Sequence, residues 1–154
     1  MTESERVAKI FDRHVDAMKQ RTLKWTFKGS SRWGDRRIGK FLKYYYIPVD
    51  IGEVLGFLDT TVFRSAKEGY LFTASGIFVK EVINKLYYLE FDKIERAEVL
   101  EEIDEGYNIN TSIWIHFKDG TKRQVFDYYL NKQSFVDYIN DVVSPDEKKS
   151  DEEA

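Results

Sequence analysis

The chain has 154 residues and a formal net charge of −3, a size that suits one domain with its own hydrophobic core. It contains no cysteine, which excludes disulfides, thiolate metal sites and cysteine nucleophiles. Apolar residues make up 42% and aromatic residues 16% of the sequence, which argues against disorder throughout the chain and favours short aromatic-rich strands.

Charge is divided unevenly along the sequence. Between Lys19 and Lys43 nine lysine or arginine residues accompany one acid, Asp35, which gives this stretch a charge of +8. Because the whole chain carries −3, the remainder must carry −11. We therefore expect a basic region and an acidic region that bind different partners or each other.

The first predicted element is an amphipathic helix. Thr2 and Glu5 have the spacing of a capping box, in which each side chain satisfies a free backbone N–H of the first turn. Apolar residues at helical spacing then predict a helix over residues 3–20. From residue 22 to residue 28 the apolar side chains alternate with polar ones, which predicts a strand.

A second helix is predicted over residues 35–46, where apolar residues return to helical spacing. We expect Pro48 to end it, because the residue before a proline is pushed out of the helical conformation. Seven further strands are predicted near residues 53–59, 69–73, 76–81, 86–91, 96–101, 111–118 and 122–126.

Asp119-Gly120 is the clearest hairpin signal, but it leaves two registers open. A two-residue turn sets Ile113 opposite Phe126, whereas a bulged turn sets Ile113 opposite Val125. A closing helix is predicted over residues 132–143, with Asn131 as its N-cap. The residues after Pro145 are mostly charged, so we expect an acidic disordered tail.

One central stretch resembles a known family. It reads Asp59-Thr60-Thr61-Val62-Phe63, then Ser65-Ala66-Lys67-Glu68-Gly69-Tyr70-Leu71-Phe72-Thr73, then Gly76-Ile77-Phe78-Val79-Lys80. This segment is similar to bacterial pleckstrin-homology-like (PH-like) domains of unknown function. The resemblance implies an α+β fold with a PH-like seven-stranded split β-barrel or roll, capped by a C-terminal helix. It divides the chain into an N-terminal helical extension (1–46), a PH-like domain (47–143) and an acidic tail (144–154).

The resemblance implies binding rather than catalysis, because folds of this group bind phosphoinositides, peptides or sister subunits. The phosphoinositide pattern needs several basic residues around the first hairpin. Only Arg64 and Lys67 lie there in this chain, with Lys80 further along. This departure argues against specific recognition of an inositol phosphate.

No residue is predicted to be catalytic. His14 lies on the apolar face of the first helix and is interpreted as a packed structural residue rather than a general base. His116 is predicted to be exposed or to pair across strands. The two histidines lack metal-site spacing, so we predict no metal and no cofactor.

Two charged surfaces are the candidate binding sites. An acidic partner face is predicted at Glu101, Glu102, Asp104 and Glu105, with a solvated turn as the alternative. The basic segment, residues 19–43, mixes cations with aromatics, which suits single-stranded nucleic acid or an anionic membrane surface. In the alternative, Leu23, Trp25 and Phe27 belong to the core and the cations are its solvated face. The basic residues proposed to bind are Lys24, Lys28, Arg32, Trp33, Arg36, Arg37, Lys40 and Lys43.

The sequence therefore predicts a non-enzymatic binding module, an adaptor or scaffold that binds a protein or an anionic surface. A protein is the preferred partner, and self-association is also compatible with the pattern. The alternatives are an acidic immunity or inhibitor protein for a basic toxin, and a nucleic-acid-binding protein. The absence of an apolar signal or spanning segment predicts a cytoplasmic location.

Overall fold

The computed structural model describes residues 1–19, 24–26, 32–61, 66–126 and 130–144. The fold is α+β, with two antiparallel sheets, a helix at the N-terminus and a helix at the C-terminus, as predicted. In chain order the elements are α1 (Glu3–Met18), β1 (Lys24–Thr26), α2 (Arg32–Tyr44), β2 (Val54–Asp59), β3 (Gly69–Thr73), β4 (Gly76–Lys80), β5 (Tyr87–Glu90), β6 (Ile94–Ile103), β7 (Ile109–Phe117), β8 (Lys122–Val125) and α3 (Lys132–Val143).

The first sheet has the strand order β1-β2-β3-β4-β5 and the second has the order β6-β7-β8. The two sheets are separate and do not close into one barrel. From β2 onward, strands that are neighbours within a sheet are also consecutive in the chain. Antiparallel pairing suits this order, because antiparallel neighbours can be joined by tight turns. At Gly69 only a glycine fits, since a Cβ atom there would lie 2.1 Å from the Leu58 carbonyl oxygen.

The predicted ends of the first two helices need correction. α1 begins at Glu3 as predicted but ends at Met18, before Gln20. α2 begins at Arg32 rather than Asp35, and it ends at Tyr44 rather than Tyr46.

A C-terminal cap, rather than Pro48, ends α2. Tyr46 adopts a positive φ of 54°, and Ile47 N–H donates to the Leu42 carbonyl oxygen at 2.9 Å. Tyr46 N–H donates to the Lys43 carbonyl oxygen at 3.3 Å, which completes a Schellman-type cap. Proline is therefore not needed to stop the helix, because the chain has already turned away.

Some later elements agree closely with prediction, but β6 spans Ile94–Ile103 rather than residues 96–101, and β7 begins at Ile109 rather than at residue 111. β3 and α3 have the predicted bounds, and the Asn131 side chain accepts a hydrogen bond from Ser134 N–H at 3.0 Å, which confirms the N-cap. In the β7–β8 hairpin Ile113 lies opposite Val125, so the bulged register is the correct one. Gly120 supplies the positive φ of 90° that this turn requires. The predicted acidic tail lies almost entirely outside the described residues.

The main core lies between the two sheets and the pair of helices α1 and α3. Tyr138 of α3 is fully buried and packs edge-on against Phe11 of α1 and Phe72 of β3, with ring centroids 5.8 Å apart in both cases. Polar contacts also join the helices: Arg6 donates to the Val142 carbonyl oxygen, and His14 pairs with Asp141. α1, in the predicted N-terminal extension, therefore contributes to the same core as the strands.

A second, smaller core fixes α2 to the other face of the first sheet. Ile38 and Phe41 are fully buried there, and the Phe41 ring lies 4.9 Å from the ring of Phe57 in β2. Strand alternation explains the division, since Phe57 and Leu71 face α2 while Leu58 and Phe72 face the main core.

Candidate functional site

The distal part of the β6–β7 hairpin extends beyond the packed body of the molecule. Every residue from 100 to 111 is exposed, and these residues are here called the arm. The arm keeps its ladder, with Leu100 opposite Ser112 and Ile103 opposite Ile109. Where it leaves the body, Lys132 at the start of α3 donates to the Thr111 carbonyl oxygen at 2.7 Å. Thr111 therefore marks the place where helical cover ends.

The arm exposes aliphatic side chains on the side of the ribbon that elsewhere faces the core. Ile113 is fully buried, and the pair Ile103–Ile109 lies further along the same face, because alternate residues of a strand share one face. Yet Ile103 is 69% exposed and Ile109 is 65% exposed. The apolar face of the hairpin thus continues past the core into solvent.

The turn at the arm tip is organised by Asp104. One carboxylate oxygen accepts the backbone N–H groups of Gly106 and Asn108, each at 2.9 Å, and the other faces the side-chain amides of Asn108 and Asn110. These hydrogen bonds, led by that of the Asn108 backbone, hold the pKa of the Asp104 carboxyl below its ordinary value. They also hold the turn in which Tyr107 adopts a positive φ of 61°, with its side chain 89% exposed.

The predicted acidic face therefore divides by role. Asp104 is engaged within the turn, whereas Glu101, Glu102 and Glu105 are exposed and have no cationic partner among the described residues. Glu98, nearer the body, accepts from Arg96 at 2.6 Å and pairs with His116 at 2.9 Å. The arm thus combines uncompensated negative charge with uncovered aliphatic surface.

The basic segment is only partly described. Lys28 and the side chains of Lys24, Arg32 and Trp33 lie outside the described residues, as do Leu23 and Phe27. Trp25 is half-buried and packs against the main core, with its ring 5.5 Å from that of Phe72, so it is not an open platform for a nucleic-acid base. On α2, Arg37 is half-buried, while Arg36, Lys40 and Lys43 are exposed on the side away from the second core.

The C-terminal end of α2 adds exposed aromatic surface to these cations. Tyr44 is 56% exposed and Tyr46 is 92% exposed, whereas Tyr45 between them packs against the second core. The ammonium group of Lys67 lies 5.5 Å from the centre of the Tyr44 ring. Among the described residues no acid pairs with Lys40 or Lys43.

The two histidines lie in different parts of the fold. His14 is largely buried and pairs with Asp141 of α3, while His116 joins β7 to β6 through Glu98. The cross-strand interpretation of His116 is therefore confirmed. Within the described ranges no group of three or more His, Asp or Glu side chains is placed to hold a metal ion.

Sequence reasoning missed the apolar residues of the arm. The strand was predicted to end at Glu101, so Ile103, Tyr107 and Ile109 were not grouped. A signal was present, because Ile103 and Ile109 flank the Asp104–Asn108 turn symmetrically and continue the alternation from Val99. Alternation alone does not reveal that the protein leaves this pair uncovered.

Among the described helices, none is both long and apolar enough to cross a membrane. Comparisons with protein-family models, with curated proteins and with solved structures found no match for this chain.

Proposed function

We propose that this protein is a non-catalytic binding module whose arm binds a basic protein partner. The observation that carries this proposal is the exposed Ile103–Ile109 pair on a ladder that projects from the body. Exposed apolar surface rimmed by charge is typical of a protein-binding site. Complete burial of one aliphatic side chain contributes about 1.5–3 kcal/mol, so this pair and Tyr107 offer a substantial driving force for association.

The charge of the arm favours a basic partner over a neutral or acidic one. Glu101, Glu102 and Glu105 lie around the apolar pair, and no cation among the described residues pairs with them. Complementary charge on a partner accelerates its association, whereas partners of like charge are repelled. A scaffold and an inhibitor of a basic toxin would both use this contact, and they differ only in what the partner does.

As the framework for this function we propose a PH-like architecture. Its support is the sequence resemblance together with the order of four strands β2–β5, three strands β6–β8 and a C-terminal helix. On this view β1 and α1 are additions that extend the first sheet and the main core.

The test uses the intact chain as bait, with Ile103→Asp and Ile109→Asp combined in one variant. We expect binding of a basic partner to weaken by at least roughly a hundredfold, because charges would replace the two central apolar contacts. The matched control is Val82→Asp with Ile83→Asp, which changes two aliphatic residues that are 78% and 72% exposed outside the arm. Equal retention by both variants, capture of only acidic proteins, or capture of only a second copy of the chain contradicts the proposal.

The outer face of α2 is a second candidate site, for an anionic membrane surface. The specific observation is the clustering of Lys40, Lys43 and Lys67 with the exposed rings of Tyr44 and Tyr46. Tyrosine suits the membrane interface, and lysines near anionic lipid contribute about 1 kcal/mol each. Because Trp25 is half-buried and packs against the core, single-stranded nucleic acid is less well supported.

Vesicles of phosphatidylcholine with phosphatidylserine test this second site by co-sedimentation. We expect Lys40→Glu with Lys43→Glu to reduce vesicle binding by at least roughly thirtyfold, since about 2 kcal/mol of attraction is lost and two repulsive charges are added. Lys9→Glu with Lys118→Glu makes the same change in charge at exposed positions elsewhere. Equal loss in both variants, or binding of an oligothymidylate but not of vesicles, contradicts a membrane site on α2.

A further inference from the structure

The outer edge of β6 carries backbone groups that are directed away from its partner strand. From Arg96 onward the register with β7 is regular, so successive N–H groups point alternately toward β7 and away from it. Asp104 N–H donates to the Asn108 carbonyl oxygen, which fixes the even-numbered positions as those that face β7. The N–H and carbonyl groups of Ala97, Val99, Glu101 and Ile103 therefore point outward.

Within the part of the chain that the structure describes, a side chain closes this edge at one position. Ala97 N–H donates to the Asn140 side-chain oxygen at 2.8 Å, and Asn140 donates back to the Ala97 carbonyl oxygen at 2.9 Å. The side-chain amide of Asn140 thus makes the two hydrogen bonds with Ala97 that the backbone of a neighbouring strand would make. Beyond it, no hydrogen bond from another described residue reaches the outward backbone groups of Val99, Glu101 or Ile103.

The charges along this edge indicate which occupant it selects. In an antiparallel pairing with a second copy centred on Glu101, that carboxylate would lie opposite its own equivalent. Like charges directly opposite each other destabilise a strand pair, and charged edges prevent self-association in many sheets. A basic strand would instead be attracted by Glu102 on one face and by Glu101 on the other, since neither carboxylate pairs with a cation among the described residues. Glu98 contributes less, because Arg96 and His116 already contact its carboxylate.

We propose that an extended basic segment of the partner adds to the β6 edge as a further strand, with backbone hydrogen bonds at Val99, Glu101 and Ile103. This inference rests on the function proposed for the arm and specifies how the partner binds there. Alternation assigns the side chains of the added strand: lysine or arginine lies beside Glu102, and aliphatic residues lie beside Val99 and Ile103. Main-chain bonds then supply affinity, and the two faces supply specificity.

The probe is a short peptide of alternating lysine and valine, titrated into the full chain. Amide hydrogen exchange is followed at Glu101 and Ile103, with Glu102 as the internal reference because its N–H already faces β7. We expect exchange at Glu101 and Ile103 to slow by at least roughly tenfold at saturation, with Glu102 changed much less. A matched peptide with alternate backbone nitrogens methylated keeps every side chain but removes donors, and we expect it to bind at least roughly tenfold more weakly.

The outcomes separate this inference from the function on which it rests. If the two peptides bind equally, or if Glu101 and Ile103 exchange as fast as in the free chain, strand addition is wrong, while the arm can still bind through its side chains. If the lysine–valine peptide does not bind, or a glutamate–valine peptide binds as well, the edge does not select a basic strand. Loss of the natural partner in the Ile103→Asp, Ile109→Asp variant tests the proposed function independently.

Discussion

The end of α2 and the tip of the arm present the same residue type in the same backbone conformation. Tyr46 and Tyr107 have positive φ values of 54° and 61° and are 92% and 89% exposed. Cations surround the first and acids surround the second. The difference lies beneath them, because α2 buries its aliphatic residues in the second core whereas the arm leaves its aliphatic pair in solvent.

The two regions differ in whether the fold accounts for what they expose. The cations of α2 are compatible with an ordinary amphipathic helix, since a folded helix needs a solvated polar face. The arm is different, because no described residue buries Ile103 or Ile109, which stay largely exposed. Unused apolar surface therefore indicates a binding site more strongly than charge of either sign.

We expect the largest difference between the two regions in the stability of variants that shorten one isoleucine in each. Ile38→Ala in α2 removes a fully buried side chain from the second core and should reduce the free energy of unfolding by about 2–5 kcal/mol. Ile103→Ala on the arm should change it by less than about 0.5 kcal/mol. Urea denaturation of both variants measures the difference. A large loss at Ile103 would mean that the arm is part of the core, and the comparison would fail.

Reversing the charges of the arm and of α2 should change the association rate of a basic partner differently. Glu101→Lys with Glu102→Lys should slow association of a basic partner by roughly tenfold or more, because rim charges act mainly on the association rate. Lys40→Glu with Lys43→Glu should leave that rate unchanged or raise it slightly. Stopped-flow or surface-based kinetics at two salt concentrations distinguish the cases. An effect of the α2 variant equal to that of the arm variant contradicts separate sites.

Replacement of the two tyrosines by glycine should separate stability from binding. Tyr46→Gly relieves a conformation unfavourable for side chains other than glycine and should raise the free energy of unfolding by about 0.5 kcal/mol. Tyr107→Gly should be similar in stability yet weaken binding of the partner, because a large contact surface is lost. Thermal unfolding and partner titration of both variants provide the check. A Tyr107→Gly variant with full affinity removes Tyr107 from the site.

The smallest expected effect is a local response of the arm to acid. Hydrogen bonds, first that from the Asn108 backbone, hold the Asp104 pKa below its unfolded value, so this contribution is complete above about pH 4. It is lost as the pH falls through the lower pKa of the folded state, because the protonated carboxyl is a poorer acceptor. Amide exchange at Gly106 and Asn108 should then accelerate, and Asp104→Asn should show this faster exchange already at neutral pH. Exchange that is unaffected by either change contradicts the role of Asp104.

Elements with strong local signals could be predicted from the sequence. β3 and α3 have the predicted bounds, because Gly69, Asn131 and strict periodicity specify their ends locally. The start of α2 was missed since Arg32, Trp33 and Gly34 give little apolar periodicity. The register of the β7–β8 hairpin was left open by the sequence and is decided by how Ile113 and Val125 meet in the core.

Only half of the candidate site could be predicted from the sequence. The positions of charged residues can be read from the sequence directly, whereas the burial of an apolar side chain depends on which distant elements pack over it. Glu101, Glu102 and Glu105 are visible in the sequence as an acidic cluster. Whether Ile103 is buried depends on how far α3 extends along the sheet, and α3 begins only at Lys132, beside Thr111. No pattern within residues 100–111 carries that information.

Photo-cross-linking compares the two surfaces most directly. A photoreactive phenylalanine analogue is placed at Tyr107 in one protein and at Tyr46 in another, and cross-linked products from native cells are identified by mass spectrometry. We expect Tyr107 to yield a basic protein partner that disappears in the Ile103→Asp, Ile109→Asp background, and Tyr46 not to yield that protein. The same protein cross-linked equally from both positions, or only a second copy of the chain from Tyr107, would contradict the assignment of the arm as the partner-binding site.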